Sequence, residues 1–237
     1  MSEKCRWLHI KLESLPLIKY PFRTAMLPRS GIYFFYEKGE SWGHGDDRLR
    51  IVRVGTHRKA NFRSRISEHF WLDESKMKFG VDKPKPSDRS IFRKNIGRAL
   101  LNRNRDPYLE IWEIDFIAEE NRERYGHLRD IEKEREVEES ITRIMRENFC
   151  FRFLIFEHEI QRIGSRGLEA YLIGTVAKCK LCAPSPDWLG RYSPKNQVRT
   201  SGLWLAQHLT AGEIGRKDMG VIEIAIQETK DWIANGG

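Results

Sequence analysis

Five side chains along this chain are of types that would support one chemistry together. Tyr33 is third in the run Gly31-Ile32-Tyr33, inside an aromatic and β-branched stretch that ends at Glu37. Arg53 is set between Val52 and Val54. Arg65 and His69 are four residues apart, so on a helix they share a face. Glu169 stands three and four residues before Leu172 and Ile173, at the border of an apolar helix face. A phenol on a rigid strand takes a proton from water when nearby cations lower its pKa. A guanidinium fork stabilises negative charge spreading over an oxyanion. A carboxylate holds a hard divalent cation. The set suits hydrolysis of a charged ester. Singly, each residue has a plainer role: core tyrosine, surface arginine, packed histidine, solvated glutamate. Arg53 is harder to place so, because a charge between two valines on a central strand needs a partner or a ligand.

The surrounding pattern predicts the elements that must hold these groups. Gly31–Glu37 reads as a strand buried on both faces, and Leu49–Gly55 as its hairpin partner across a glycine-rich loop. Asn61 is placed to cap a helix running to about Phe70, with Phe62, Ile66 and Phe70 as its apolar stripe. Ser90–Asn102 reads as a second helix, Tyr108–Ile117 as a strand, Glu119–Asn148 as one or two charged helices, and Phe149–Phe156 as a strand. Leu168–Lys178 is predicted to be helical and to carry Glu169. A short helix at Leu203–Leu209 and a terminal one at Ile222–Ala234 are predicted after a proline-rich loop, and Trp7–Leu12 as a short strand or helical turn. The expected class is α/β (α+β): a small mixed or antiparallel sheet flanked by helices.

Composition narrows the partners. The chain has 237 residues, 40% of them hydrophobic, enough for a sizeable core. No apolar run approaches the roughly 20 residues of a membrane helix, and Met1–Leu8 lacks a secretory signal, so a cytoplasmic protein with no membrane contact is expected. The net charge of +8 is unevenly spread. Residues 57–106 hold 14 Lys or Arg against 6 Asp or Glu, and residues 110–147 hold 7 against 13. A basic segment of this kind attracts polyanions. Arg63, Arg93, Lys94 and, in the tail, Asn196 are the candidates for contact with a nucleic-acid backbone; Ser90, Arg98 and Lys195 stand beside them. Cys179 and Cys182 form a CxxC pair, but no further zinc ligand lies near them in sequence, so they read as two small residues near a helix end.

The order of these motifs resembles the GIY-YIG nuclease superfamily, in the manner of its restriction-endonuclease members. Gly31-Ile32-Tyr33 matches the first motif. Arg53-Val54-Gly55 keeps the glycine of the second, with arginine in place of tyrosine. Phe62 with Arg65, then His69, matches the helix motif, and Glu169 the later glutamate. The resemblance covers about Gly31 to Cys179. It implies a metal-dependent endonuclease acting on DNA, double-stranded by preference. Tyr33 is then the general base, Arg65 stabilises the phosphate, His69 positions it or the nucleophile, and Glu169 binds Mg²⁺ or Mn²⁺. Arg53 would lie beside the Tyr33 phenol and favour its ionised form. The implied organisation is an N-terminal extension (1–30), a nuclease-like domain (31–180) with a helical insertion near 107–148, and a C-terminal helical extension (181–237), with a homodimer left open. The substituted second motif supports an alternative, a nucleic-acid-binding protein of the same fold that has lost catalysis.

Overall fold

The computed structural model describes residues 2–236; Met1 and Gly237, the ends of the expected extensions, lie outside them. Four strands form one sheet: β1 (Ile18–Lys19), β2 (Gly31–Ser41), β3 (Leu49–Thr56) and β4 (Phe149–Ile155), in the order β1-β4-β2-β3 with every neighbouring pair antiparallel. β2 runs through the middle, and Ile32 to Tyr36 are all buried, as continuous bulk on a two-sided strand requires. Ile32, Phe34 and Tyr36 enter one apolar core while Tyr33 and Phe35 enter another, so the sheet is the middle of three layers. β3 is an edge strand.

Ahead of the sheet, Ser2–Glu13 forms α1, a three-turn helix longer than the strand or single turn expected there. Leu8 and Leu12 join the first core, one helical turn apart. On the second face lie α2 (Phe62–Phe70), the single turn α3 (Pro86–Arg89) and α4 (Ile91–Arg103). The stripe Phe62, Ile66 and Phe70 is buried as predicted, although the Asn61 side chain makes no capping bond. Ser90 does cap α4, its Oγ accepting the Arg93 N–H at 3.3 Å.

Residues 109–113 are helical, α5 (Leu109–Glu113), not the strand expected over 108–117. The buried members of 108–117 are Tyr108, Trp112 and Phe116, each four apart, so the helical period prevails over apparent alternation. α6 (Glu119–Tyr125) and α7 (Ile131–Asn148) follow, then β4, the single turn α8 (Glu159–Arg162) and α9 (Leu168–Ala177).

In the tail, α10 is Asn196–Ser201 and α11 is Arg216–Ala234. The helix expected at Leu203–Leu209 is absent. Leu203, Trp204 and Leu205 are buried outside any helix. Trp204 N–H donates to the Val52 carbonyl at 2.8 Å, and its indole N–H to the buried Glu37 carboxylate at 2.8 Å. Three bulky residues in a row cannot share one helix face, but they can lie along a strand edge.

The alternation of basic and acidic segments has an internal explanation. α4 packs on α7, and Arg93 is wholly buried with its guanidinium on the equally buried Glu138 at 2.7 and 3.2 Å. Arg98 pairs with Glu113, and Lys94 with Asp88. Arg93 and Arg98 are thus neutralised by acids of the following segment, and Lys94 by Asp88 within its own. No helix among the described residues is long and apolar enough to cross a membrane.

Candidate active site

Register places the first site residue. Across β2 and β3, Tyr33 faces Gly55 and Phe35 faces Arg53. The Tyr33 ring lies over Gly55 so closely that a β-carbon there would stand 2.4 Å from the phenol oxygen. Glycine is required at this position for contact, not for a special backbone angle. Edge-on contacts with Phe35 and Phe62 hold the ring, with centroids 5.5 and 5.8 Å away. Its hydroxyl meets His69 Nε2 at 3.2 Å.

His69 is fully buried on the inner face of α2, and its Nδ1 meets Ser90 Oγ at 2.9 Å. Burial first, then the charges of Arg65, Arg53 and Arg93, push its pKa well below the ordinary histidine value. The imidazole is therefore neutral and carries one N–H. With that proton on Nδ1 and given to Ser90, Nε2 accepts from the Tyr33 hydroxyl; with it on Nε2, His69 donates to the phenol oxygen. Either way a line of hydrogen bonds runs from the α4 cap to the tyrosine.

Glu169 comes from the opposite layer. It stands in the first turn of α9, and its Oε1 accepts the Thr56 N–H, at the end of edge strand β3, at 3.0 Å. Thr56 directly follows the glycine beneath Tyr33. Burial raises the Glu169 pKa, against the pull of the Thr56 N–H, Arg53 and Arg162. Glu169 and Arg53 share a cavity of about 310 Å³ beside β3, closed by Asn95 from α4 and by Lys195 and His208 from the tail.

Arg53 makes no hydrogen bond to the Tyr33 phenol among the described residues. Its guanidinium donates to the Trp204 carbonyl and lies 4.9 Å above the Phe92 ring. The hydrogen-bond partner of the Tyr33 hydroxyl is His69. Arg53 Nε is buried with no hydrogen-bond partner among the described residues. Arg65, one turn before His69, gives Nη1 to Glu68 and to the Arg89 carbonyl, the latter at 2.7 Å.

Two neighbours were not singled out as site residues in the sequence. His57 immediately follows β3, and burial, then Arg65 and Arg162, push it down to about 4. Its position right after the second motif was the available signal. Arg162, nearly fully buried on α8, donates to the Gly31 carbonyl at 3.0 Å, and its Nε has no hydrogen-bond partner among the described residues. No local pattern marked it. The cations Arg53, Arg65 and Arg162 stand around half-buried Glu169, with Glu68 paired to Arg65 and Glu159 and Glu157 acting on Arg162, a setting suited to a phosphate.

The expected backbone contacts fare unevenly. Arg93 and Lys94 are not surface groups: both are buried, Arg93 on Glu138 and Lys94 on Asp88 and the Ile114 carbonyl. A helix packed on both sides cannot present them to a nucleic acid. Arg63 ties α2 to the Leu27 carbonyl. Asn196, at the start of α10, is exposed, and its neighbour Lys195 reaches the cavity.

The donor set suits a hard cation. One Glu169 oxygen is spent on Thr56, and the other has no hydrogen-bond partner among the described residues while the residue lines the cavity. Mg²⁺ is commonly held by one or two carboxylates and keeps several waters. No curated protein matches this chain, and no solved structure does. The family model of the GIY-YIG domain matches residues 17–231.

Proposed function

The chain belongs to the GIY-YIG domain family, a family of endonucleases, and on that premise we propose that it is a metal-dependent enzyme cutting the phosphodiester backbone of DNA. One observation carries the reading. Tyr33, hydrogen-bonded to a neutral buried histidine, lies over Gly55, and the next residue, Thr56, holds Glu169. Tyr33 is the general base toward the attacking water, and neutral His69, fixed by Ser90, orients its hydroxyl through their 3.2 Å hydrogen bond. Arg65 and Arg53 balance the charge that builds on the phosphate. Glu169 is the carboxylate for Mg²⁺ or Mn²⁺, which when bound neutralises phosphate charge and acidifies its water. Double-stranded DNA is the expected substrate.

Supercoiled plasmid incubated with the protein and Mg²⁺ or Mn²⁺ should be nicked or linearised. Glu169→Ala should abolish cutting while DNA binding, followed by gel shift, survives. Unchanged cleavage in that variant would remove Glu169 from the mechanism. The alternative, a DNA-binding protein without catalysis, draws on Arg53 standing where the family motif has tyrosine. It predicts wild-type binding with no cutting in either metal.

A further inference from the structure

The CxxC pair is not isolated in space. Cys179 and Cys182 follow the end of α9, and Cys5 from α1 and His44 from the loop between β2 and β3 join them. The four potential donor atoms all lie within 4.8 Å of one another. Cys5 Sγ is 3.8 Å from Cys182 Sγ, and Cys179 Sγ is 3.2 Å from His44 Nε2. Sulfurs at that distance are not bonded, since a disulfide needs about 2.05 Å. Two thiolates on one tetrahedral zinc, each about 2.3 Å from it, stand roughly 3.8 Å apart. The reading of the cysteines as two small residues near a helix end is corrected: the missing ligands come from segments more than 130 residues away in sequence.

The surroundings are shaped to hold this cluster. Gly43 presses on the CxxC turn so tightly that a β-carbon would stand 1.8 Å from the Leu181 carbonyl oxygen. His9 fixes the backbone behind Cys5: its Nδ1–H donates to the Cys5 carbonyl at 2.9 Å, and its Nε2 accepts the Ile51 N–H at 3.1 Å. Trp42, nearly fully buried, covers the cluster with its ring 5.0 Å from that of His44. All three cysteines are buried.

We propose that Cys5, His44, Cys179 and Cys182 bind one structural zinc ion. Three thiolates and one imidazole match the soft and borderline donors zinc prefers, and four protein ligands leave no open position for catalysis. The ion joins α1, the hairpin loop and the end of the helix that carries Glu169. It is separate from the Mg²⁺ or Mn²⁺ site, whose donor is an oxygen.

Elemental analysis of the intact protein, purified in reductant, should find about one zinc per chain, as the four-ligand site implies. Glu169→Ala should keep that zinc, and Cys5→Ser and Cys179→Ser should lose it. Cys150→Ser, outside the cluster, should keep it. Replacing zinc with Co²⁺ should give the intense visible bands of a tetrahedral ion and thiolate-to-cobalt absorption in the near ultraviolet. The cobalt spectrum uses the unaltered chain, so it decides the matter even if the cysteine variants fail to fold. Reduced protein that takes up neither Zn²⁺ nor Co²⁺ overturns the proposal. So does an octahedral cobalt spectrum, or zinc lost in Glu169→Ala but kept in Cys179→Ser.

Discussion

Tyr33 and Gly55 form a matched pair in which one residue's bulk needs the other's lack of it. A methyl group at position 55 has nowhere to go, because the phenol fills the space. Gly55→Ala should therefore push Tyr33 off His69, cost about 1–3 kcal/mol as overpacking does, and suppress cleavage more than binding. Urea unfolding beside a plasmid-nicking assay reads both effects. His69 and His57 make a prediction on pH. Both have folded-state pKa values below the ordinary one, His57 at about 4. The unfolded chain therefore binds more protons than the folded one below about pH 6.5. Their stabilising contribution is present above that pH and is lost as pH falls toward 4, at no more than about 1.4 kcal/mol per pH unit for each group. Melting curves between pH 7.5 and 4.5 should show the loss, and His69→Asn should flatten it. An equally steep fall in that variant would remove His69 as a cause.

At the level of elements, the buried pair between α4 and α7 gives the sharpest test. Arg93→Met leaves the Glu138 carboxylate without its guanidinium in the core, which should destabilise by about 3–5 kcal/mol; adding Glu138→Leu should recover much of that. Denaturant unfolding of both proteins checks it, and a near-neutral single variant would argue against the pairing. What could be read from sequence follows the same physics. The β2–β3 hairpin, α2, α4, β4 and α9 were legible because their apolar residues recur with one period and end at clear stops. Residues 108–117 were misread because Trp112, Ile114 and Phe116 alternate with Glu113 and Asp115 as a strand would, while Tyr108, Trp112 and Phe116 recur with the helical period. Leu203–Leu209 was misread because Glu37 and Val52, which draw Trp204 out of a helix, lie far back in the chain. In the candidate site, Tyr33, His69 and Glu169 were legible as motif positions. The path from Tyr33 through His69 to Ser90 was not, since a contact across 21 residues has no local signature.

For the whole molecule, net charge is a poor guide to how strongly a polyanion is held. Several cations of residues 57–106 are consumed by Asp and Glu inside the fold, so only the exposed remainder can displace counterions. Lys195, from the tail, is exposed beside the cavity, in a long ion pair with Glu113 at 3.6 Å. Lys195→Ala should weaken DNA binding and lower the slope of log affinity against log salt by about one. Titrations at several salt concentrations measure it. An unchanged slope would place DNA elsewhere.

The open side of β3 has a consequence for assembly. An uncovered edge strand invites a second chain to continue the sheet. Here Ile51 N–H is taken by His9, the Val52 carbonyl by Trp204, and Thr56 N–H by Glu169. The opposite edge, β1, is only two residues long. The sheet thus offers little template for strand exchange or for fibre growth, and two copies that meet would do so through helices and loops.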